Sequence, residues 1–146
     1  MLLALVCSLM VTETGVIVPD PKCTPGAVLN VTQEQVLAKG FGKKSRDVDD
    51  AKHAQVYEEY GIKSYRAGEY EIDHLYPVCG GGASTLANLY PQPASPQPGF
   101  HQKDLVETYA CKEMRKGHMT LAEVQAFVED WTAHLARKGK KWKVTP

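Results

Sequence analysis

Hydrophobic residues near the end of the chain recur at the spacing of an α-helix. After Thr120 they stand at alternating steps of three and four, and Thr120 with Glu123 forms a capping box at the start of the run. Three more helices are predicted at residues 32–40, 50–60 and 101–116, where capping residues or terminal glycines bound helix-compatible spacing. The hydrophobic positions of the last predicted helix are Leu121, Val124, Val128, Trp131 and Leu135.

Between these helices, polar and apolar positions alternate as they do in short β-strands. One strand is predicted at residues 70–77, followed by a flexible turn at the three glycines 80–82, and a second strand near residues 86–90. Residues 91–99 hold four prolines, which predicts a connector without regular structure. The order strand, glycine turn, strand, connector, helix predicts one small α+β domain with two short antiparallel strands and flanking helices.

The first residues and the cysteines bear on where the protein works. Residues 1–11 are an apolar run with the length of a signal-peptide core, well below the roughly 20 residues that span a bilayer. We therefore predict a signal peptide at residues 1–16, a secreted or periplasmic protein and no stable membrane insertion; a buried N-terminal strand or helix is the alternative. Removal of this segment would take Cys7 and leave enough cysteines for one disulfide and one free thiol. Those remaining are Cys23, Cys79 and Cys111.

The charges change the picture only when their positions are considered. The chain carries 17 basic and 17 acidic residues, so its net charge is zero and gives no global sign of a nucleic-acid binder. The predicted domain covers residues 17–136, and a basic tail follows at residues 137–146. With Trp142 this tail could neutralise phosphates and stack on a base, a solvated terminus being the alternative. Its basic residues are Arg137, Lys138, Lys140, Lys141 and Lys143.

Four residues in the strand, turn, strand and helix series carry the candidate chemistry. Asp73 and His74 lie on the first predicted strand, Asn88 on the second and His101 at the start of the helix. Hydrolysis of a phosphodiester with one metal ion needs a base that deprotonates water, oxygen or nitrogen ligands for the ion, and a loop that fixes the base. Adjacent residues of a strand point to opposite faces, so one of the Asp-His pair can address the metal and the other the water.

At these residues the chain resembles HNH nucleases of the ββα-metal superfamily, and more narrowly the small, often exported bacterial HNH-type proteins. The resemblance rests on YEIDHLYP at 70–77, the glycines at 80–81, NLYPQ at 88–92 and HQKDLVE at 101–107. It implies a ββα-metal core. It further implies an endonuclease that hydrolyses the phosphodiester bonds of nucleic acid, with DNA favoured over RNA and low sequence specificity.

The resemblance also implies a role for each residue. His74 would be the general base that activates water, Asp73 a metal ligand, and Asn88 the residue that holds the loop and so orients His74. His101 would be the second ligand, although Asp104, one turn later, is an alternative. The implied cofactor is a single divalent ion, Mg²⁺ first, with Mn²⁺, Ni²⁺ or Zn²⁺ as alternatives.

Substrate contacts are predicted for Lys103 and for the basic tail at Arg137, Lys138, Lys140 and Lys141, although Lys103 could equally be a solvated helix residue. Whether the protein has a protein partner stays unknown from the sequence. Two other interpretations stay open: a catalytically inactive nucleic-acid-binding or interaction module with the same fold, and a structural secreted domain in which Asp73 and His101 are unrelated in space.

Overall fold

The computed structural model of the protein describes residues 6–146, in which three antiparallel strand pairs and five α-helices make an α+β domain. Residues 1–5, the start of the predicted signal peptide, lie outside the described residues. Short 3₁₀ turns at Val78–Gly80, Leu86–Asn88 and Trp131–His134 connect some of the elements. In chain order the elements are β1 Met10–Val11, β2 Ile17–Val18, α1 Gln33–Leu37, α2 Phe41–Ser45, α3 Asp50–Glu59, β3 Tyr70–His74, β4 Leu89–Pro93, α4 Phe100–Arg115, α5 Leu121–Glu129, β5 Leu135–Lys138 and β6 Lys141–Val144.

The predicted order of two antiparallel strands followed by a helix is confirmed. Strand β3 pairs with β4, and α4 follows the connector. The prediction that the prolines exclude regular structure is wrong at its start, because β4 runs through Pro91 and Pro93. Pro91 and Pro93 occupy alternate positions of β4, at which a backbone N–H would point away from β3. The N–H of Ala94, next to Pro93, points toward β3 and donates to the carbonyl oxygen of Glu69 at 3.0 Å. A strand with one neighbour tolerates proline where the missing N–H would point away from that neighbour.

The helices predicted near residues 32–40 and 50–60 are confirmed as α1 and α3. Thr32 caps α1 with the expected capping box, and Asp49 caps α3. The sequence did not predict α2, which follows Gly40 directly. Val56 of α3 is fully buried in a hydrophobic cluster with Leu89 of β4, so this helix covers one side of the strand pair.

Helices α4 and α5 pack together and form a second hydrophobic cluster. Ala110 and Met114 of α4 lie in it with Val124 and Val128 of α5, and all four side chains are almost completely buried. Helix α5 begins at its predicted capping box but ends at Glu129, short of the predicted pattern.

The end of the chain is a β-hairpin. Leu135, predicted as the last hydrophobic position of a helix, begins β5, which pairs with β6. Trp142 of β6 donates its indole N–H to Gln97 Oε1 at 2.9 Å and so ties the hairpin to the connector before α4. The segment predicted as a tail is therefore folded. Its basic side chains stay exposed: Arg137, Lys138, Lys140, Lys141 and Lys143.

Two disulfides join parts of the described chain, Cys7 to Cys23 and Cys79 to Cys111. The predicted disulfide with one free thiol applied to a chain without Cys7, whereas in this chain Cys7 is buried and paired and the described residues hold no free cysteine. Two disulfides are compatible with an extracellular or periplasmic protein. Processing after residue 16 would remove one half of the first disulfide. Within residues 6–146, no helix has the length and apolar character needed to cross a bilayer.

Candidate functional site

A buried lysine joins the strand pair to α4. Lys103 is 0% exposed, and its ammonium donates to Asp73 Oδ2 at 2.8 Å, to the carbonyl oxygen of His74 at 2.7 Å and to Glu107 Oε1. The predicted contact of Lys103 with a phosphate is therefore corrected, because all three of its donor directions are used inside the protein. Burial alone would lower the pKa of Lys103, but the carboxylates of Asp73 and Glu107 outweigh it and raise the pKa above its usual value.

Three carboxylates form a cluster around this lysine. Asp73, Asp104 and Glu107 each offer an oxygen, and these oxygens lie within 4.8 Å of one another. Asp73 comes from the end of β3, whereas Asp104 and Glu107 lie one turn apart on α4. Desolvation raises the pKa of Glu107 to about 7, although Lys103 acts in the opposite direction.

His101 does not belong to this group of carboxylates. It is exposed at the start of α4, and its ring centroid lies 4.2 Å from that of Phe100. The oxygens grouped with Asp73 come from Asp104, which the sequence offered as the alternative, and from Glu107, which it did not offer. His101 remains a predicted ligand whose charge acts on Asp104.

The imidazole of His74 points away from the carboxylates, as strand alternation predicts, and contacts Ser84. Its Nε2 lies 3.0 Å from Ser84 Oγ. The Ser84 hydroxyl has one hydrogen and donates it to the carbonyl oxygen of Ser45 at 2.8 Å. Ser84 Oγ therefore accepts from His74, which places the imidazole proton on Nε2 and leaves a lone pair on Nδ1.

His74 is held in its neutral form. Desolvation lowers its pKa from 6.5 to about 4, although the carboxylate of Asp73 acts in the opposite direction. His74 also lines a cavity, which gives its ring access to a small molecule such as water. At neutral pH this histidine can accept a proton through Nδ1.

Asn88 fixes the loop between the two strands, the role that the resemblance implied for it. Its Nδ2 donates to the carbonyl oxygens of Tyr76 at 3.0 Å and Ala83 at 2.8 Å. Its Oδ1 accepts from the N–H groups of Tyr76 at 3.0 Å and Ala27 at 3.3 Å. The amide thus uses both donors and both lone pairs. Because Ala83 precedes Ser84, these bonds hold the residue that orients His74.

The glycine segment of this loop is packed, which corrects the prediction of a flexible turn. Gly80, Gly81 and Gly82 are all buried, and Gln125 of α5 donates to the carbonyl oxygen of Gly80 at 2.9 Å. A Cβ on Gly82 would lie 1.8 Å from the carbonyl oxygen of Tyr76. Any larger residue at this position would push the loop away from the strand end.

Ser84 also fixes the segment after α2. The N–H of Asp47 donates to Ser84 Oγ at 3.3 Å, and Lys52 Nζ bridges the carbonyl oxygens of Asp47 at 2.6 Å and Ser84 at 2.9 Å. With the bond to Ser45, the backbone on both sides of Arg46 is therefore attached to the residue that holds His74.

Arg46 lies between two cavities. The first, called here the carboxylate cavity, has a volume of about 360 Å³ and contains Asp104, Glu107 and Arg115 in its lining. The second, called the tyrosine cavity, has a volume of about 350 Å³ and is lined in part by Tyr57, Tyr70 and His74. Arg46 contributes to both linings, so its positive charge stands between the acidic residues and the candidate base.

Sequence reasoning missed Arg46, Ser84 and Glu107. Arg46 and Ser84 come from irregular segments whose approach to His74 depends on tertiary contacts. For Glu107 there was a signal, since Lys103 and Glu107 stand at i and i+4 of a predicted helix, the spacing of an ion pair. The predicted substrate contacts of the C-terminal segment have no counterpart in the two cavities, because none of its basic residues lines either of them.

Comparison of the chain with protein-family models, with curated protein sequences and with solved structures gave no match.

Proposed function

We propose that the protein is a metal-dependent endonuclease with a ββα-metal core, which hydrolyses phosphodiester bonds of nucleic acid. The observation that carries the proposal is the neutral His74, with a lone pair on Nδ1, at the strand end that also supplies Asp73 to a cluster of three carboxylates. Metal-assisted hydrolysis requires a base and a set of oxygen ligands, and the end of β3 contributes to both.

The donor atoms fit a hard divalent ion. Asp73, Asp104 and Glu107 present only oxygen, which suits Mg²⁺ or Mn²⁺ better than Ni²⁺ or Zn²⁺. Lys103 engages one oxygen of Asp73 and one of Glu107, so each carboxylate keeps its other oxygen for a ligand. When bound, the ion supplies positive charge that stabilises the negative charge developing on the phosphate oxygens.

The residues of the chain divide the remaining work. His74 takes a proton from water through Nδ1 and is held in the required tautomer by Ser84, while Asn88 holds the loop that contains Ser84. Lys103 keeps the carboxylates of Asp73 and Glu107 in place and partly neutralises them. The exposed basic residues of the hairpin offer sequence-independent contacts to phosphates, which would make binding weak and sensitive to salt.

Two disulfides support the proposal that the enzyme works in a secreted or periplasmic location, with DNA as the favoured substrate. The alternative function is a catalytically inactive module that binds nucleic acid with the same fold. The buried and fully bonded Lys103 is the observation that favours this alternative, because its ammonium already provides a cation to two of the three carboxylates.

Incubation with supercoiled plasmid, in Mg²⁺, in Mn²⁺ and in EDTA, separates the two functions. We expect nicking that needs the metal and that falls by about 10²- to 10⁴-fold in His74→Ala, the usual contribution of a general base. His118→Ala is the matched control, because His118 is exposed and bonds only to Glu113 in the described chain. Absence of metal-dependent nicking, or undiminished nicking by His74→Ala, would contradict the endonuclease function and favour the inactive binding module.

A further inference from the structure

The tyrosine cavity adjoins the candidate base and has the features of a subsite for a flat ring. Tyr57 and Tyr70 contribute aromatic surface to its lining, and their rings meet edge to face with centroids 6.4 Å apart. Tyr65 stacks on Tyr57 at 4.3 Å and supports it from outside the cavity. The volume of about 350 Å³ is at the lower end of the range of about 300–1,000 Å³ that is typical of small-ligand sites.

Arg46 places a positive charge in the lining of this cavity. The residue is exposed, its guanidinium has no ion pair among residues 6–146, and its backbone neighbours are fixed through Ser84. A guanidinium without an ion pair, carried on a fixed backbone, suits bidentate binding of a phosphate. Glu71 also lines the tyrosine cavity and would repel a phosphate there, so the cavity favours an uncharged ring, and Arg46 is the group of its lining that attracts a phosphate.

We propose that the tyrosine cavity binds one unpaired nucleobase of the substrate while Arg46 binds an adjoining phosphate of the same strand. This subsite deepens the proposed nuclease function and rests on it for the identity of the ligand. A base inside a duplex is stacked and paired and cannot enter such a cavity without being extruded, which costs a few kcal/mol. The preferred substrate is therefore a single strand or an unpaired region, bound by stacking and by backbone charge.

The test measures binding without cleavage. A fluorescein-labelled 12-nucleotide DNA of mixed sequence, single-stranded or annealed to its complement, is titrated with the full chain in EDTA at low salt, and fluorescence anisotropy gives the Kd. We expect the single strand to bind at least fivefold more tightly than the duplex. Stacking of one base on aromatic side chains corresponds to roughly 5- to 150-fold in affinity.

Four variants, including two controls, locate the subsite. Tyr70→Leu should weaken single-strand binding by at least fivefold, and Tyr70→Phe, which keeps the ring, should retain it. Arg46→Gln should weaken binding of the single strand by about fivefold or more. Arg66→Gln removes the same charge from an exposed residue that lines neither cavity, and its Kd should stay within twofold of the wild type. Because Tyr70 also packs on the core, circular dichroism checks the fold of its variants, and the exposed Arg46 provides an independent test.

Each result has a defined meaning. Three results would overturn the subsite. The first is binding of the duplex that equals or exceeds binding of the single strand, and the second is no detectable binding of either probe by the wild type. The third is a Kd of Tyr70→Leu and of Arg46→Gln equal to that of Arg66→Gln. Selective single-strand binding with the expected variant effects supports it, even if plasmid nicking fails, in which case only the nuclease function falls. Metal-dependent nicking together with equal binding of single strand and duplex would contradict the proposed subsite and support the proposed nuclease function.

Discussion

Replacement of Lys103 by methionine tests how the carboxylate cluster is stabilised. Methionine keeps most of the unbranched side chain but removes the ammonium that contacts Asp73, Glu107 and the carbonyl oxygen of His74. Loss of one partner of a buried ion pair leaves uncompensated charge and typically costs about 3–5 kcal/mol. With a Tm change of about 4 °C per kcal/mol for a domain of this size, we expect a decrease of roughly 12–20 °C.

The cost of Lys103→Met should depend on pH in a defined direction. Desolvation already raises the pKa of Glu107 to about 7 in the presence of Lys103, and without the lysine it should rise further. A carboxyl group whose pKa is raised by folding favours the folded state fully below its unfolded pKa, and this contribution is lost as the pH rises through the folded pKa. The variant should therefore lose more stability at pH 8 than at pH 5, where Glu107 is protonated.

Urea unfolding in EDTA at pH 5 and pH 8 measures both effects. Lys112→Met is the control, because Lys112 is an exposed residue of the same helix and its loss should change the free energy of unfolding by no more than about 0.5 kcal/mol. A loss below about 1 kcal/mol in Lys103→Met at pH 8, or equal losses at the two pH values, would refute the assignment of Lys103 as the counterion of buried carboxylates.

Three further predictions follow from the site and its surroundings. Because burial lowers the pKa of His74 to about 4, its contribution to the free energy of unfolding should fall by up to about 3 kcal/mol as the pH falls from 6.5 to 4, whereas the raised pKa of Glu107 acts in the opposite direction over the same range. The measured quantity is therefore the difference between urea titrations of the wild type and His74→Gln, and a difference that stays constant with pH would contradict the burial of a neutral His74. Mn²⁺ at about 100 times its Kd should raise the free energy of unfolding by about 2.7 kcal/mol, and a thermal shift as large in Asp104→Asn would contradict the carboxylate site. The double variant Cys79→Ala, Cys111→Ala opens a link with a sequence separation of 32 and should lose about 3–4 kcal/mol in urea unfolding, whereas a loss below about 1 kcal/mol would show that the bond is dispensable.

Local chemistry accounts for the parts of the fold that the sequence predicted. The capping boxes at Thr32 and Thr120 set helix starts because side chain and backbone groups only three residues apart satisfy each other. Alternation likewise placed Asp73 and His74 on opposite faces of β3. The end of α5 and the start of β5 were not predicted. Leu135 fits the helical spacing, but in the structure it pairs with Val144 of β6 and is part of a strand.

The candidate site was predictable where its residues belong to the strand, turn, strand and helix series. Asp73, His74 and Asn88 lie on or beside the paired strands, whereas Arg46 reaches the site through contacts of its neighbours with Ser84, 37 to 39 residues further along the chain. The burial of Lys103 was missed for a different reason. A lysine on a helix is usually solvated, and only the simultaneous presence of Asp73 from another element makes complete burial possible.

The disulfide between Cys79 and Cys111 makes the structure of the carboxylate cavity depend on the redox state of the chain. Both half-cystines line this cavity, one from the loop after β3 and one from α4. Until they are oxidised, nothing covalent holds that loop against the helix that supplies Asp104 and Glu107. Assembly of the cavity is therefore coupled to oxidative folding, so the reduced chain would hold a less ordered site than the same chain after oxidation.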